Sequence, residues 1–371
     1  MSGECKPALT ANPDAANGDD QFGRLVRLDG LRGLAALGVA LHHVFLHFAN
    51  WPFAETLLTS PLAATAHWIQ LWGWTMVDLF FVLSGYVFAH VYLRGSSLSD
   101  RSGLADFAIA RFSRLYPLHL VMLLLIALFT FGTGANTPFA FVANLFMAQA
   151  FILPFAASFD QPAWSLSVEC LCYLLFALSA FAGRSALLWA SGIAALWGAA
   201  MLVAHGQPGG PWVADAVPRG FLGFFLGQAL WHGRGWLTRI PAPVLALGVI
   251  AGLWVQTGAY SPLLPLTLIA WPSALLLCLK STQMGSRVMV WLGDRSYGIY
   301  LVNLPIVMSA VALVDRTALS PWGAAAWQAV LVALTLLASE TAYRLIECPA
   351  RRAIRAAWLR HCDRAPISVH A

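Results

Sequence analysis

Residues 74–93 read WTMVDLFFVLSGYVFAHVYL, and this stretch establishes the type of fold. Asp78 is its only charged side chain. A helix of this length rises about 30 Å, which matches the hydrocarbon thickness of a bilayer. Its apolar residues are consecutive rather than alternating, which favours a transmembrane helix over a strand of a membrane barrel.

Further apolar segments of the same kind continue along the chain. They are rich in Leu and Ala, and they lie at 31–49, 115–133, 139–153, 163–182, 185–204, 217–231, 242–257, 262–279, 294–314 and 322–346. Together with 74–93 they predict an all-α integral membrane protein, a bundle of long apolar helices.

The composition supports a membrane protein over any water-soluble class. Charged residues make up 11% and apolar types 59% of the 371 residues, whereas a typical soluble domain is roughly 25% charged. These values exclude soluble globular, disordered and nucleic-acid-binding proteins, so the lipid bilayer is an expected partner and nucleic acid is not. The net charge of +5 is explained by basic cytoplasmic loops. The six cysteines show no disulfide or metal-ligand spacing, so no metal is expected.

Loop charge indicates how many of these segments cross the bilayer. If 139–153 spanned, the basic loop 232–239 and the basic C-terminal tail would lie outside, against the positive-inside rule. The segment is also shorter than the ~20 residues that a span needs. We therefore predict about ten transmembrane helices, both termini in the cytoplasm, and 139–153 as a short re-entrant or interfacial segment.

Three regions follow from this topology. Residues 1–24 are polar and rich in Pro, Asn, Gly and Asp, so we predict a disordered cytoplasmic leader without a removable signal peptide. Residues 25–350 form the membrane domain. Residues 351–371 carry several arginines and are predicted to be a basic cytoplasmic tail.

Ionisable residues in the predicted spans require a reason, because each costs at least ~2.5–3.5 kcal/mol there. Arg32 and His43 lie about three turns apart and share a helix face. Asp78 and Glu169 enter their spans from the outer side, at a depth comparable with His43. A carboxylate near an imidazole suits a general base, since it orients the ring and stabilises its cation. We therefore predict catalytic roles for His43, Glu169 and Asp78; structural hydrogen bonds within the bundle are the alternative.

A second group of charges lies at the predicted inner mouth. Arg111 and Arg114 are three residues apart on one helix face, and Arg32 lies at the same level. Guanidinium groups bind phosphate oxygens in a bidentate manner, so the three arginines predict a site for a phosphorylated donor. With the imidazole and carboxylate layer further out, the pattern indicates group transfer across the bilayer. Anchoring of helix ends is the alternative for these arginines.

The motifs around these residues resemble the acyltransferase-3 family of integral-membrane O-acyltransferases. They occur in the family's order over most of the chain. They are RLDGLRGLAALGVALHH (27–43), DLFFVLSGYVF (78–88), RFSRLYPLHL (111–120), WSLSVE (164–169), GDRSYGIYLVNLPI (293–306) and ECPAR (347–351).

The resemblance implies a fold and an activity. The family fold is a ten-helix bundle, and its members move an acyl group, most often acetyl from cytoplasmic acetyl-CoA, to hydroxyls of extracytoplasmic glycans or other small acceptors. We therefore expect an O-acetyltransferase in a bacterial inner membrane, with acyl-CoA as partner on the cytoplasmic side and a glycan or similar hydroxyl acceptor on the outer side. The expected form is the stand-alone one, without an appended esterase-like domain.

The resemblance also assigns roles to individual residues. The family's Arg–His pair, its RxxR motif and its SxxxE motif are matched here by Arg32 and His43, by Arg111 and Arg114, and by Ser165 and Glu169. We place Ser165, Asn303 and Arg219 on the acceptor side; snorkelling at a helix end is the alternative for Arg219. Asn303 departs from the family, whose members often carry His at this position. A catalytic His there would leave this chain impaired, so we expect a structural or acceptor-side role for Asn303.

Two functions of other classes remain open from the residues alone. A proton-coupled transporter would use the same buried histidine and carboxylates as a proton relay, although the sequence shows no internal repeat. A membrane sensor or scaffold would use them as structural polar pairs. Within the enzyme hypothesis, His43 either acts as a base on the acceptor hydroxyl or is transiently acetylated.

Overall fold

The computed structural model describes residues 25–48, 61–94, 98–207, 215–255 and 257–364, and these contain helices, turns and connecting segments but no strand. The prediction of an all-α fold is therefore confirmed for the described part of the chain. The predicted leader, 1–24, lies outside the described residues, as does 365–371 at the end of the predicted tail.

In the first half of the chain, the described residues include six α-helices of very different length. They are α1 (Val26–His47), α2 (Pro61–Trp72), α3 (Met76–Tyr92), α4 (Arg101–Thr130), α5 (Pro138–Leu145) and α6 (Trp164–Phe181). The second half continues with α7 (Arg184–His205), α8 (Ala216–His232), α9 (Ala242–Trp254), α10 (Leu263–Lys280), α11 (Arg287–Asp294), α12 (Ser296–Leu313), α13 (Pro321–Ala342) and α14 (Cys348–Arg364).

The described residues contain seven helical stretches that are long and apolar enough to cross a membrane. They are Ala64–Tyr92, Arg101–Thr130, Gln161–Phe181, Arg184–His205, Leu263–Lys280, Ser296–Leu313 and Pro321–Cys362. The other three predicted spans are helical too, as α1, α8 and α9, but α9 has 13 residues and α8 has 17. The number of about ten spans therefore remains a prediction.

The segment 139–153 does not form a spanning helix, as predicted. It contains α5, a helix of eight residues, followed by 3₁₀ turns at Gln149–Phe151 and Leu153–Phe155. Eight residues rise only about 12 Å, far less than the bilayer core. His119 Nε2 on α4 donates a hydrogen bond to the backbone carbonyl of Asn144, at 2.8 Å, and this bond fastens α5 to the bundle.

Glycines bring α3 and α8 unusually close together. A Cβ atom added at Gly85 would lie 1.7 Å from the Phe224 carbonyl oxygen, and one at Gly227 would lie 2.0 Å from the Val82 oxygen. Small residues at such crossings let membrane helices pack backbone against backbone. The α3–α8 contact is thus a rigid wall beside the functional residues.

The described part of the C-terminal region is helical. A π-helical turn at Tyr343–Glu347 joins α13 to α14, so the predicted basic tail begins as a helix that ends at Arg364. The indole nitrogen of Trp358 donates to Asp106 on α4, at 2.5 Å. The basic helix α14 is therefore attached to the start of α4, the helix that carries Arg111 and Arg114.

Candidate active site

A cavity between α1, α3, α4, α6 and α12 brings five of the predicted residues together. It encloses an empty volume of about 720 Å³, part of it open to solvent. The predicted residues in its wall are Arg32, Arg111, Arg114, Ser165 and Glu169. Other polar and aromatic residues of the wall, which sequence reasoning did not single out, include Ser84, Phe88, Tyr173, Ser296, Tyr297 and Tyr300.

Arg111 is held in an aromatic cage. Its guanidinium carbon lies 4.9 Å from the ring centre of Phe88, 5.8 Å from that of Tyr92 and 6.0 Å from that of Tyr173. Its Nη2 donates to the Tyr92 hydroxyl, at 3.2 Å. Its Nε is buried and has no hydrogen-bond partner within the described residues. Cation–π contacts stabilise the desolvated charge and leave hydrogen-bond donors unused.

The other two arginines have different neighbours. Arg114 lies one helix turn from Arg111 in the cavity wall and is close enough to Glu347 for an electrostatic interaction. Arg32 Nη1 donates to Asp29 on its own helix, at 2.9 Å. The three guanidinium groups thus face one space from two helices, which suits an anion with several phosphate groups.

Glu169 lies in the wall of this cavity and accepts two hydrogen bonds from hydroxyl groups. The Ser84 hydroxyl donates to its Oε1 at 3.0 Å, and the Tyr173 hydroxyl donates to the same oxygen. Tyr173 is also one of the rings around Arg111. Glu169 therefore belongs structurally to the arginine end of the site, an arrangement that the i, i+4 spacing of Glu169 and Tyr173 on α6 could have indicated.

His43 contacts an amide rather than a carboxylate. Its Nδ1 lies 2.5 Å from Oδ1 of Asn303 on α12. In the described residues neither expected carboxylate hydrogen-bonds to the ring: Glu169 accepts from hydroxyl groups of α3 and α6, and Asp78 accepts from Arg219. Asn303, which we expected either in a structural role or on the acceptor side, is completely buried and directed at His43.

Asp78 and Arg219 pair with each other. Arg219 Nε donates to Oδ1 of Asp78 and Nη2 donates to Oδ2, both at 2.9 Å, and neither side chain is exposed. The guanidinium also lies 4.9 Å from the ring centres of Trp74 and Trp164. Asp78 therefore bonds to Arg219 rather than to His43, and the Arg219 guanidinium lies buried against Asp78 rather than at an exposed helix end. Their 141-residue separation hid the pair from sequence reasoning.

Ser165 forms a hydroxyl pair with Tyr300, a residue that sequence reasoning missed. The two oxygens are 2.8 Å apart, and both groups lie within hydrogen-bond distance of the Pro162 carbonyl. Tyr300 lines the cavity and lies one turn before Asn303 on α12. One face of α12 thus connects the cavity, through Tyr300, with His43, through Asn303.

Asp160 is a further buried carboxyl near this pair. It precedes the 3₁₀ turn Gln161–Ala163, is 2% exposed, and its two oxygens have no hydrogen-bond partner within the described residues. Burial raises the pKa of the Asp160 carboxyl well above its ordinary value, because desolvation disfavours the charged form.

Comparison with known proteins identifies a family and several relatives. A family model described as an acyltransferase domain matches residues 25–344. The chain is 29% identical to the acyltransferase MdmB of Streptomyces mycarofaciens, over 76% of this chain and 79% of that protein. No solved structure gives a significant match.

Two relatives carry more specific names. The chain is 26% identical to the putative peptidoglycan O-acetyltransferase YrhL of Bacillus subtilis, over 87% of this chain and 54% of the relative. It is 25% identical to the peptidoglycan O-acetyltransferase OatA of Listeria monocytogenes, over 88% of this chain and 55% of the relative. The matches therefore extend over only about half the length of these two proteins.

Proposed function

The chain belongs to the acyltransferase-3 family of membrane O-acyltransferases, and we propose that it transfers an acetyl group from acetyl-CoA to a hydroxyl of a glycan. The observation that carries the proposal is the cavity in which Arg32, Arg111 and Arg114 share a wall with Ser165 and Glu169. Family membership favours a transferase over the transporter and scaffold hypotheses.

The arginines supply the donor end of the proposed site. Acetyl-CoA carries phosphate groups on a flexible arm that ends in the thioester. Guanidinium forks bind such phosphates with charge-assisted hydrogen bonds, and the cage around Arg111 fixes one fork before the donor arrives. Glu169 is proposed to position Arg111 through Tyr173, which contacts both Glu169 and Arg111.

The acceptor end of the proposed site lies beyond the cavity, along α12. The thioester reaches the hydroxyl pair of Ser165 and Tyr300, and His43 lies beyond it, held by Asn303. His43 takes the proton from the acceptor hydroxyl. The hydroxyl oxygen then bonds to the acetyl carbon as the bond from that carbon to sulfur breaks, and the imidazolium returns the proton to the thiolate of the leaving CoA.

We propose that the donor enters from the cytoplasm and the acceptor from outside a bacterial inner membrane, with both termini in the cytoplasm. Basic loops favour this orientation. Single-cysteine labelling from outside should reach positions near 207 and 260 and should not reach positions near 234 and 284. Labelling of a cysteine near 234 from outside would reverse the topology.

The proposed acceptor class is a sugar of a cell-surface or exported polysaccharide, and the names of two relatives favour peptidoglycan. The test uses the full-length protein in proteoliposomes, with radiolabelled acetyl-CoA and the disaccharide of N-acetylglucosamine and N-acetylmuramic acid. We expect an acetyl ester on the sugar, detected by mass spectrometry and released by mild base. Failure to bind acetyl-CoA would refute the donor assignment. Binding without transfer to this sugar would refute the proposed acceptor, and mass spectrometry of surface glycans from cells with and without the protein would then identify another.

A further inference from the structure

The amide group of Asn303 has a single orientation that satisfies its surroundings. Its Nδ2 donates to the backbone carbonyls of Ile299, at 2.9 Å, and Tyr300, at 2.7 Å. A carbonyl oxygen only accepts hydrogen bonds, so the nitrogen of the amide must face these two groups. The amide oxygen must then face α1 and His43.

This orientation determines which ring nitrogen of His43 carries the hydrogen. The Asn303 oxygen accepts, so Nδ1, 2.5 Å away, is the protonated nitrogen of the neutral ring. The lone pair is consequently on Nε2, which has no hydrogen-bond partner within the described residues. A base needs that lone pair to take a proton from the acceptor hydroxyl.

We propose that Asn303 is a positioning residue that holds His43 in the Nδ1–H tautomer, so that Nε2 is the atom that receives the hydroxyl proton; this inference rests on the proposed function. An amide turned the other way imposes the opposite tautomer, and in a serine-protease triad that change lowers kcat about 10⁴-fold. Here the contacts of Nδ2 with α12 prevent the amide from turning.

The surroundings of His43 allow this proposal to be tested by pH. The titratable groups that act on it within the described residues are His42 and His47, both on α1, and α12 contributes the uncharged Asn303. No carboxylate of the described residues is among these groups. A negative charge introduced at position 303 would therefore be the dominant new influence on its protonation.

The experiment compares Asn303→Leu with Asn303→Asp in the reconstituted protein, with labelled acetyl-CoA and the same disaccharide as substrates. Loss of the oxygen in Asn303→Leu should lower kcat about 10²-fold or more, with acetyl-CoA affinity unchanged, because the ring loses its tautomer and its orientation. Asn303→Asp keeps an oxygen towards Nδ1. Its second oxygen cannot make the hydrogen bonds that Nδ2 donates to the Ile299 and Tyr300 carbonyls, so activity should fall below wild type but stay above that of Asn303→Leu. The acid limb of the pH–rate profile should move to higher pH, because the anion favours the imidazolium.

Asn144 provides the matched control. It is also a completely buried amide, but it bonds to Ala140 and Ser158 near α5. Asn144→Leu should lower thermal stability without moving the pH profile. If both position-303 variants lose activity and Asn303→Asp leaves the profile unmoved, the role of Asn303 is only structural. Full activity of Asn303→Leu would equally overturn the proposal.

A direct measurement on the wild-type protein is independent of how the variants fold. In ¹⁵N NMR of histidine-labelled protein, with His43→Gln to assign the signals, Nδ1 of His43 should carry the hydrogen and Nε2 should not. The opposite tautomer would refute the inference. Absence of acetyl transfer by the wild type would instead refute the proposed function, and the NMR result would still decide the tautomer.

Discussion

Among the polar pairs that join helices in the described residues, Asp78–Arg219 and His43–Asn303 differ in what they leave unbonded. Asp78 and Arg219 join α3 to α8 through two parallel hydrogen bonds, and both side chains are inaccessible to solvent. His43 and Asn303 join α1 to α12 through one hydrogen bond, which occupies only Nδ1 of the ring. In the first pair the carboxylate and the guanidinium bond to each other through two atoms each, whereas the second pair leaves Nε2 of the imidazole without a hydrogen bond in the described part of the chain.

The difference shows how to interpret ionisable residues in membrane spans. An ionisable residue in a membrane span is a candidate functional residue, because burying it there is costly. By that criterion Asp78 and His43 are equally good candidates. A bidentate ion pair between two tryptophan rings satisfies its own charges. Under the proposed function, the unbonded Nε2 of His43 beside the site, rather than the charge of Asp78, indicates the reacting atom.

The largest effect is expected at His43. His43→Ala should lower acetyl transfer about 10²–10⁴-fold, the usual loss when a general base is removed, with acetyl-CoA affinity nearly unchanged. His42, whose Nδ1 donates to the Ile69 carbonyl at 3.2 Å, lies about 100° away on the helix. His42→Ala should retain substantial activity.

The measurement is product formation by the purified His42 and His43 variants at matched protein concentration. If His43→Ala were active and His42→Ala inactive, the catalytic histidine would be His42, on the other face of α1. Activity in both variants would make His43 a structural histidine and would turn attention to Glu169.

Substitutions in the Asp78–Arg219 pair should change the stability of the protein rather than its catalysis. Asp78→Leu or Arg219→Leu alone leaves an uncompensated buried charge, which destabilises proteins by about 3–5 kcal/mol. Removing both charges, in Asp78→Leu with Arg219→Leu, should restore part of that loss. Thermal unfolding in detergent checks this order, and a single variant that unfolds normally but loses catalysis would return Asp78 to the catalytic group.

The membrane class and the helical segments were predictable because long apolar segments with few charges leave no alternative to helices in lipid. The short segment 139–153 was predictable too, from its length and the loop charges. Arg32, Arg111, Arg114, Ser165 and Glu169 line one cavity, as the resemblance implied for a common site. Their roles remain predictions.

The partners of individual residues were not predictable. Asp78 with Arg219 and His43 with Asn303 are separated by 141 and 260 residues. The sequence allows an estimate of how deep a residue lies in the bilayer. It does not show which helices are neighbours or which of their faces meet, so residues at the same depth need not be in contact. Tyr300 was missed for a related reason: its hydroxyl matters only because α12 packs beside Ser165.

A smaller effect is expected at the two arginines of α4. Lys keeps the charge but loses the planar fork, so Arg111→Lys and Arg114→Lys should each weaken acetyl-CoA binding by roughly tenfold, the equivalent of one charge-assisted hydrogen bond. Arg111→Lys should also lower stability, because its guanidinium fills the cage of Phe88, Tyr92 and Tyr173. Calorimetry on folded variants measures the affinity, and unchanged values would reduce both residues to anchors.

The smallest effect is expected at Asp160, a buried carboxyl that belongs to neither kind of pair. Burial raises the pKa of the Asp160 carboxyl in the folded protein. Above the unfolded pKa of about 3.9 the unfolded chain releases the proton while the folded protein retains it, so the free energy of unfolding decreases as the pH rises. Asp160→Asn removes that penalty, so it should raise the melting temperature at neutral pH by roughly 2–4 °C. The gain should vanish towards pH 4. A variant that is less stable at neutral pH would show that the Asp160 carboxylate is ionised in the folded protein and is stabilised there by a binding partner.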